Sequence, residues 1–423
     1  MNSRLTSRFA SAEFFGLCAL ALALPLAETP MHIAFVILFV GSLGRCISSY
    51  SWRRPDFFEW LLLAMTLIAL ASTVVNWPLV KGMTGFRNYV TLYILFWIAY
   101  QSDYNIDQMR KFFWLLVAAV MVGLLYGLWE LQSGANARLE LHSAGIVTQS
   151  SIYLGEVFFI MLGGYLDKTF MVTCKSRLIL LFCIIFSAGC LLVMGSRGGI
   201  LGVVVGLFFL GLLIKADRRF FTAVGWVVAI ILLVGFVGAM VSHRIPVLSG
   251  VTHLTSNIDD HGINFDGVAQ SDLVRWENWR IGYSYATHSK HPLLGIGPRN
   301  YLAINIEKLP IASSLKTYPN MWHKLHHAHN LFLTKWCEEG VLGLVAFVLF
   351  LGRVVWVLLL CRPREHEITW YWVGALGTVN VFVVAGSFNS AFYNEFAWLA
   401  MIIMGYAMRK LQHRILSEDG FGL

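Results

Sequence analysis

Charge is scarce in this chain. Of 423 residues only 13% are Asp, Glu, Lys or Arg, about half the share in soluble domains. That excludes a water-soluble enzyme built on one core. The 57% hydrophobic content and mean hydropathy of +0.65 point to a polytopic membrane protein. Paired cysteines are also missing. Cys18, Cys46, Cys174, Cys183, Cys190, Cys337 and Cys361 are scattered without a CxxC pair, and residues 243–330 contain none. Neither a disulfide framework nor a zinc–cysteine site is implied. There is no HExxH helix, and Asp259-Asp260 is not an Asp-x-Asp sugar-nucleotide site. The net charge of +8 is modest and gives no sign of nucleic acid.

What is present is apolar runs. A span needs about 20 apolar residues. About twelve such runs are predicted, over 10–28, 31–50, 57–76, 87–103, 111–131, 148–166, 177–195, 199–214, 220–242, 331–360, 367–387 and 391–408. The first 30 residues resemble a signal peptide, but the apolar segments that follow predict a retained first helix. The expected organisation is spans one to nine over 1–242, a large loop over 243–330, and three spans with a cytoplasmic tail over 331–423.

Lys and Arg in the short loops set the orientation. One side carries Arg4, Arg8, Arg45, Arg53, Arg54, Arg110, Lys111, Lys168, Lys175, Arg177, Lys215, Arg218, Arg219, Arg362, Arg364, Arg409, Lys410 and Arg414, and the other only Lys81, Arg87, Arg138 and Arg197. Both termini are therefore expected in the cytoplasm and the large loop in the periplasm. A lone interfacial cation usually anchors a helix end. Here the outer cations stand against the charge rule, and the loop adds Arg275 and Arg299, among others. Cations gathered there suit an anion, and the Arg fork matches phosphate oxygens.

Within the loop, 244–267 reads as irregular. Residues 270–287 read as an amphipathic helix with Trp276, Trp279, Tyr283 and Ala286 at helical spacing, and Ser271 and Asp272 can cap its start. It suits the membrane interface or a seat on the bundle. "HPLLGIGPRNY", 291–301, forces a compact turn. Upstream, "MGSRGGILG", 194–202, sets Arg197 among glycines that admit close backbone approach. Glu156 is an ionisable group inside the sixth span and is expected to pair with a nearby cation.

Taken in order, "SRGG", "RWENWRIGYSYATHSKHPLLGIGPRNY" and "HHAHNLFLTKWCEEGVLGL" resemble the O-antigen ligase and O-antigen polymerase superfamily of bacterial membrane glycosyltransferases. The motifs cover residues 194–345. The resemblance implies an all-α membrane protein with a C-type glycosyltransferase fold and one large periplasmic loop. It implies an O-antigen ligase in the inner membrane that moves a glycan from undecaprenyl diphosphate to a sugar hydroxyl of lipid A-core. The relatives extend the glycan or modify protein. The compact chain is expected to be a ligase. A transporter or lipid flippase would share the span count, but it would tend to show internal repeats, and none is evident.

The four histidines at 323, 326, 327 and 329 admit three readings: metal ligands, solvated interfacial groups, or a proton carrier. An unperturbed imidazole near pKa 6.5 can abstract a sugar hydroxyl proton during attack. The resemblance places the family's catalytic His on the one before Asn, which is His329, with His327 behind it. Asn330 could orient the ring, although neighbours on a helix point apart. Glu338 is expected too deep in the span to reach His329. The leaving diphosphate would be held by Arg197, Arg275, Lys81 and Arg87, with Arg138 and Arg299 behind them. No metal and no cofactor are expected.

Overall fold

The computed structural model describes residues 3–49, 55–76, 82–136, 138–141, 147–171, 173–214, 257–259, 262–315, 327–363, 367–389 and 396–418. Among these are twelve α-helices. They are α1 (Ser3–Ala23), α2 (Glu28–Ser49), α3 (Phe57–Val75), α4 (Gly82–Gln101), α5 (Ile106–Ser133) and α6 (Val147–Leu166). After them come α7 (Cys174–Met194), α8 (Arg197–Leu213), α9 (Phe265–His288), α10 (Leu331–Leu360), α11 (Trp370–Gly386) and α12 (Phe396–Glu418). Every predicted span except the ninth falls on a helix. The ninth, 220–242, lies outside the described residues.

Six described helices are long and apolar enough to cross a membrane: α1, α2, α3, α5, α7 and α10. Apolar α8 and α11 are shorter, at 17 residues each. Large side chains face outward along these helices, among them Val36, Leu63, Leu67, Phe182, Ile185, Val348 and Trp356. An apolar exterior over a packed interior is the pattern of a multi-pass membrane protein.

Local chemistry sets the helix ends. Asp56 with Glu59, and Asn105 with Gln108, form capping boxes at the starts of α3 and α5. Gly134 and Gly195 end α5 and α7 in the left-handed conformation that glycine adopts without penalty. In the interior, α11 packs on α6 and α8, α12 on α4, and α10 on α3. Close approach needs small residues. A Cβ on Gly377 of α11 would collide with the ring of Phe159 of α6.

Glu156 on α6 is completely buried, and neither carboxylate oxygen has a hydrogen-bond partner among the described residues. Among the described residues the expected cation is not beside it. Part of the loop is also more regular than expected. An antiparallel ribbon pairs β1 (Asn257–Asp259) with β2 (Gly262–Asn264). Because α9 follows the ribbon directly, it starts at Phe265, ahead of the Ser271 and Asp272 cap predicted for it.

Candidate functional site

The segment that follows the ribbon carries a second, small core of its own. Ile281, Ala286, Ile296, Tyr301, Ile304, Ile306, Leu309, Ala328 and Cys337 bury together, joining α9, the turn after it and α10. Tyr301 is fully buried and its hydroxyl donates to the Asn278 carbonyl at 2.9 Å. The aromatic stripe predicted on α9 splits. Trp276 and Tyr283 stay exposed, while Glu277, Asn278, Ile281 and Ser284 turn inward. One helix therefore both packs on the bundle and offers aromatic rings outward.

α10 is broken. Gly340 has φ 68° and ψ −167°, so the helical ladder is interrupted there. In a membrane interior the freed backbone groups need partners. The turn at 291–298 supplies them. Ile296 N–H donates to Cys337 O at 2.9 Å and Gly297 N–H to Glu338 O at 2.8 Å. In return, Val341 N–H donates to Pro292 O at 2.9 Å and Leu342 N–H to Leu293 O at 3.3 Å. Ser72 of α3 adds its hydroxyl to the Leu294 and Glu338 carbonyls.

Three buried ionisable groups sit beside the break. Lys335 pairs with Glu339 at 2.6 Å, one helical turn apart, and its ammonium lies 3.4 Å from the Tyr89 ring centre. Glu338 accepts from the Tyr89 hydroxyl at 2.8 Å and from the Arg299 backbone N–H. It is thus engaged with α4 and the turn.

His329 stands where this assembly meets the start of α10. Its φ is 51°, a left-handed conformation that a side-chain-bearing residue rarely adopts. The neighbours hold it there. Ala328 is fully buried in the small core. Trp279 Nε1 donates to the His329 carbonyl at 3.3 Å. The His329 N–H donates to His327 Nδ1 at 3.1 Å, and the two rings lie 4.4 Å apart. Asn330 caps α10 by accepting from Leu333 N–H at 2.9 Å, and its amide donates to the Ser387 carbonyl at 3.0 Å. The capping role commits that side chain, so the amide that hydrogen-bonds the His329 ring is Asn389. Asn389 was not singled out in the sequence, because nothing near it carries a motif.

Burial pushes the His329 imidazole down to about 4, and the Arg275 guanidinium pushes in the same direction. The Asn389 hydrogen bond opposes them. The ring is therefore a neutral base at neutral pH, with a guanidinium in its field.

The other cations divide. Arg275 of α9 is close enough to His329 to act on its ring electrostatically. Arg197 is the exposed first residue of α8. Its neighbour Gly198 lies against Ala385, two residues before Ser387, to which Asn330 is bonded. Arg87 of α4 is exposed and lies 3.5 Å from the Asn88 amide. With that amide turned to satisfy both its ends, its oxygen accepts from Arg299 Nη1 at 3.1 Å. Arg138 is exposed between α5 and α6. Lys81, His323 and His326 lie outside the described residues. Among the described residues no three His, Cys, Asp or Glu side chains converge as metal ligands.

Two groupings result. One joins His327, His329, Asn389 and Arg275, with the start of α8 next to the end of α11. The other joins Arg87 and Arg299 around Asn88. The first can accept a proton beside a fixed positive charge, and the second can take an anion. No curated protein matches the chain. Residues 182–348 match the family model described as O-Antigen ligase, a span that takes in Arg197, α9, the turn and His329.

Proposed function

We propose that the protein is an O-antigen ligase of the bacterial inner membrane, with about twelve spans, a C-type glycosyltransferase fold and an active site on the periplasmic side. Its donor is a glycan on undecaprenyl diphosphate, its acceptor a sugar hydroxyl of lipid A-core, and its surroundings membrane lipids. The observation that carries this reading is the neutral, half-buried His329 held between α9, α10 and Asn389 beside Arg275.

The chemistry follows from those groups. His329 takes the proton of the acceptor hydroxyl as its oxygen attacks the anomeric carbon. The bond from that carbon to the diphosphate oxygen breaks on the opposite face, so the configuration inverts. The electron pair leaves with the diphosphate. Arg197, Arg275, Arg87 and Arg299, together with Lys81 and Arg138, neutralise the charge that develops there. Guanidinium groups do this without a metal. His327 and Asn330 support the base from the backbone side, and Glu338 supports the turn.

An O-antigen polymerase or a protein O-oligosaccharyltransferase would run the same steps on another acceptor. The test is transfer by the purified protein from a lipid diphosphate glycan to lipid A-core, to a second lipid-linked glycan, or to protein, with EDTA and no energy source. Transfer to lipid A-core alone is expected. Movement of the donor across a bilayer without transfer would make the protein a flippase, and loss of activity in EDTA with recovery in magnesium would put a metal on the diphosphate.

A further inference from the structure

We infer that Glu338 is a positioning residue for Arg299, acting through the backbone of the turn from inside the bundle. The inference rests on the diphosphate reading above. Arg299 has φ 60°, a left-handed conformation that strains a residue bearing a side chain. Glycine could adopt it freely, yet the position carries an arginine. Something must hold it, and the surroundings identify what does. The preceding turn is fixed by four backbone bonds to the broken α10, and Pro298 lies hard against Gly85 of α4. The next N–H in line, that of Arg299, is bound by the Glu338 carboxylate. That carboxylate is itself held by the Tyr89 hydroxyl at 2.8 Å.

A fully buried carboxylate is expensive in a membrane. A neutral side chain could fill the space, and the carbonyls freed at the break already have partners in the turn and Ser72. What the carboxyl group adds is an acceptor oxygen for one N–H in an unfavourable conformation. The consequence lies at the far end of the same residue. Arg299 reaches Asn88, next to Arg87. Two guanidinium groups around one amide repel each other and are stabilised by an anion between them. Lys335 lies 3.4 Å from the Tyr89 ring centre and pairs with Glu339, which keeps the excess negative charge around Glu338 small. Glu338 does not touch the substrate in this account. It sets the place from which Arg299 meets the diphosphate.

The experiment is a double-mutant cycle on the full-length purified protein. Glu338→Gln and Glu338→Ala are combined with Arg299→Ala, and KM for the lipid diphosphate donor, KM for the acceptor and kcat are measured separately. Glu338→Ala is expected to raise donor KM about tenfold, with acceptor KM and the pH profile set by His329 unchanged. Glu338→Gln, which keeps an acceptor oxygen, should recover most of that loss. In the Arg299→Ala background neither Glu338 substitution should raise donor KM further. Additive losses, or a fall in kcat at constant donor KM, would overturn the assignment. If Glu338→Ala does not fold, the Glu338→Gln arm decides by the same criterion of non-additivity. If Arg299→Ala alone leaves donor KM unchanged, the diphosphate reading of Arg299 fails, and the assignment to Glu338 fails with it. If Arg299→Ala raises donor KM and the Glu338 variants do not, only the positioning role is lost.

Discussion

Trp279 and His329, 50 positions apart in sequence, are joined by a hydrogen bond from the indole N–H to the histidine carbonyl at 3.3 Å. The bond ties the loop helix α9 to the residue that leads into α10. It meets the backbone of a left-handed residue, so it acts on where the imidazole sits and not on its proton affinity.

His329→Ala is expected to lower transfer by roughly two to four orders of magnitude, the usual worth of a general base. Expression should be unimpaired. Trp279→Phe keeps an aromatic ring and removes the donor, so it should cost about 0.5–1.5 kcal/mol, or roughly twofold to tenfold in kcat. His327→Ala removes the acceptor of the His329 N–H and should fall between these. Transfer assays on purified variants at matched protein levels check the order. Near-normal activity in His329→Ala would remove the base.

The pH profile should be unusual for a histidine enzyme. The neutral ring is the active form, and burial and Arg275 lower its pKa to about 4. Protonation therefore removes activity only at acidic pH, and the acid limb of kcat/KM should lie near 4, well below the unperturbed value of about 6.5. A bound diphosphate offsets Arg275, so the limb in kcat should lie at higher pH than the limb in kcat/KM. Arg275→Gln should move the kcat/KM limb upward, since the guanidinium is a cause of the lowering. An acid limb of kcat/KM at 6.5 in the wild type would show that the ring is not in this environment.

Gly340→Ala should be strongly destabilising. The position has φ 68° and the added methyl would collide with the Leu293 carbonyl. The strain alone is worth about 1–3 kcal/mol, and the collision adds to it. Gly352→Ala, on the same helix with nothing within 4 Å of its added carbon, is the control and should be neutral or slightly stabilising. Thermal unfolding in detergent separates the two.

Orientation can be read with thiol labelling. Cys174 is exposed at the start of α7, on the side assigned to the cytoplasm. Lys290 is exposed after α9, on the side assigned to the periplasm. In cells with a permeabilised outer membrane, a variant whose only cysteine is at Lys290→Cys should react with a membrane-impermeant reagent. A variant retaining only Cys174 should not. The reverse result would turn the protein over.

The helices were legible because a membrane asks each one for a continuous apolar run, and the runs are in the sequence. His329 and Arg275 could be picked out from motif order and from cations on the wrong side of the charge rule. The break in α10 could not. "CEEGVLGL" reads as uninterrupted helix, and only the arrival of 291–298 makes Gly340 non-helical. Asn389 was invisible for the same reason: its partner is His329, 60 positions earlier, and no local pattern marks it. The loop ribbon was hidden because two three-residue strands leave almost no periodicity to read. Glu156 was conspicuous, but its expected cation depended on packing that the sequence does not encode locally.

The exchange of backbone bonds between 291–298 and α10 also constrains how the protein is made. The turn precedes α10 in the chain, so it is synthesised first, and on the proposed topology it crosses to the far side with the rest of the loop. When α10 enters the membrane, the carbonyls of Cys337 and Glu338 find the turn already delivered. An α10 inserted without it would either straighten into a regular helix or carry unsatisfied groups in lipid. Translocation of the loop is therefore a step in building the membrane core as well as the outer surface. A chain whose loop is stalled or clipped before α10 inserts would complete a differently shaped tenth helix, and it would do so before any substrate is present.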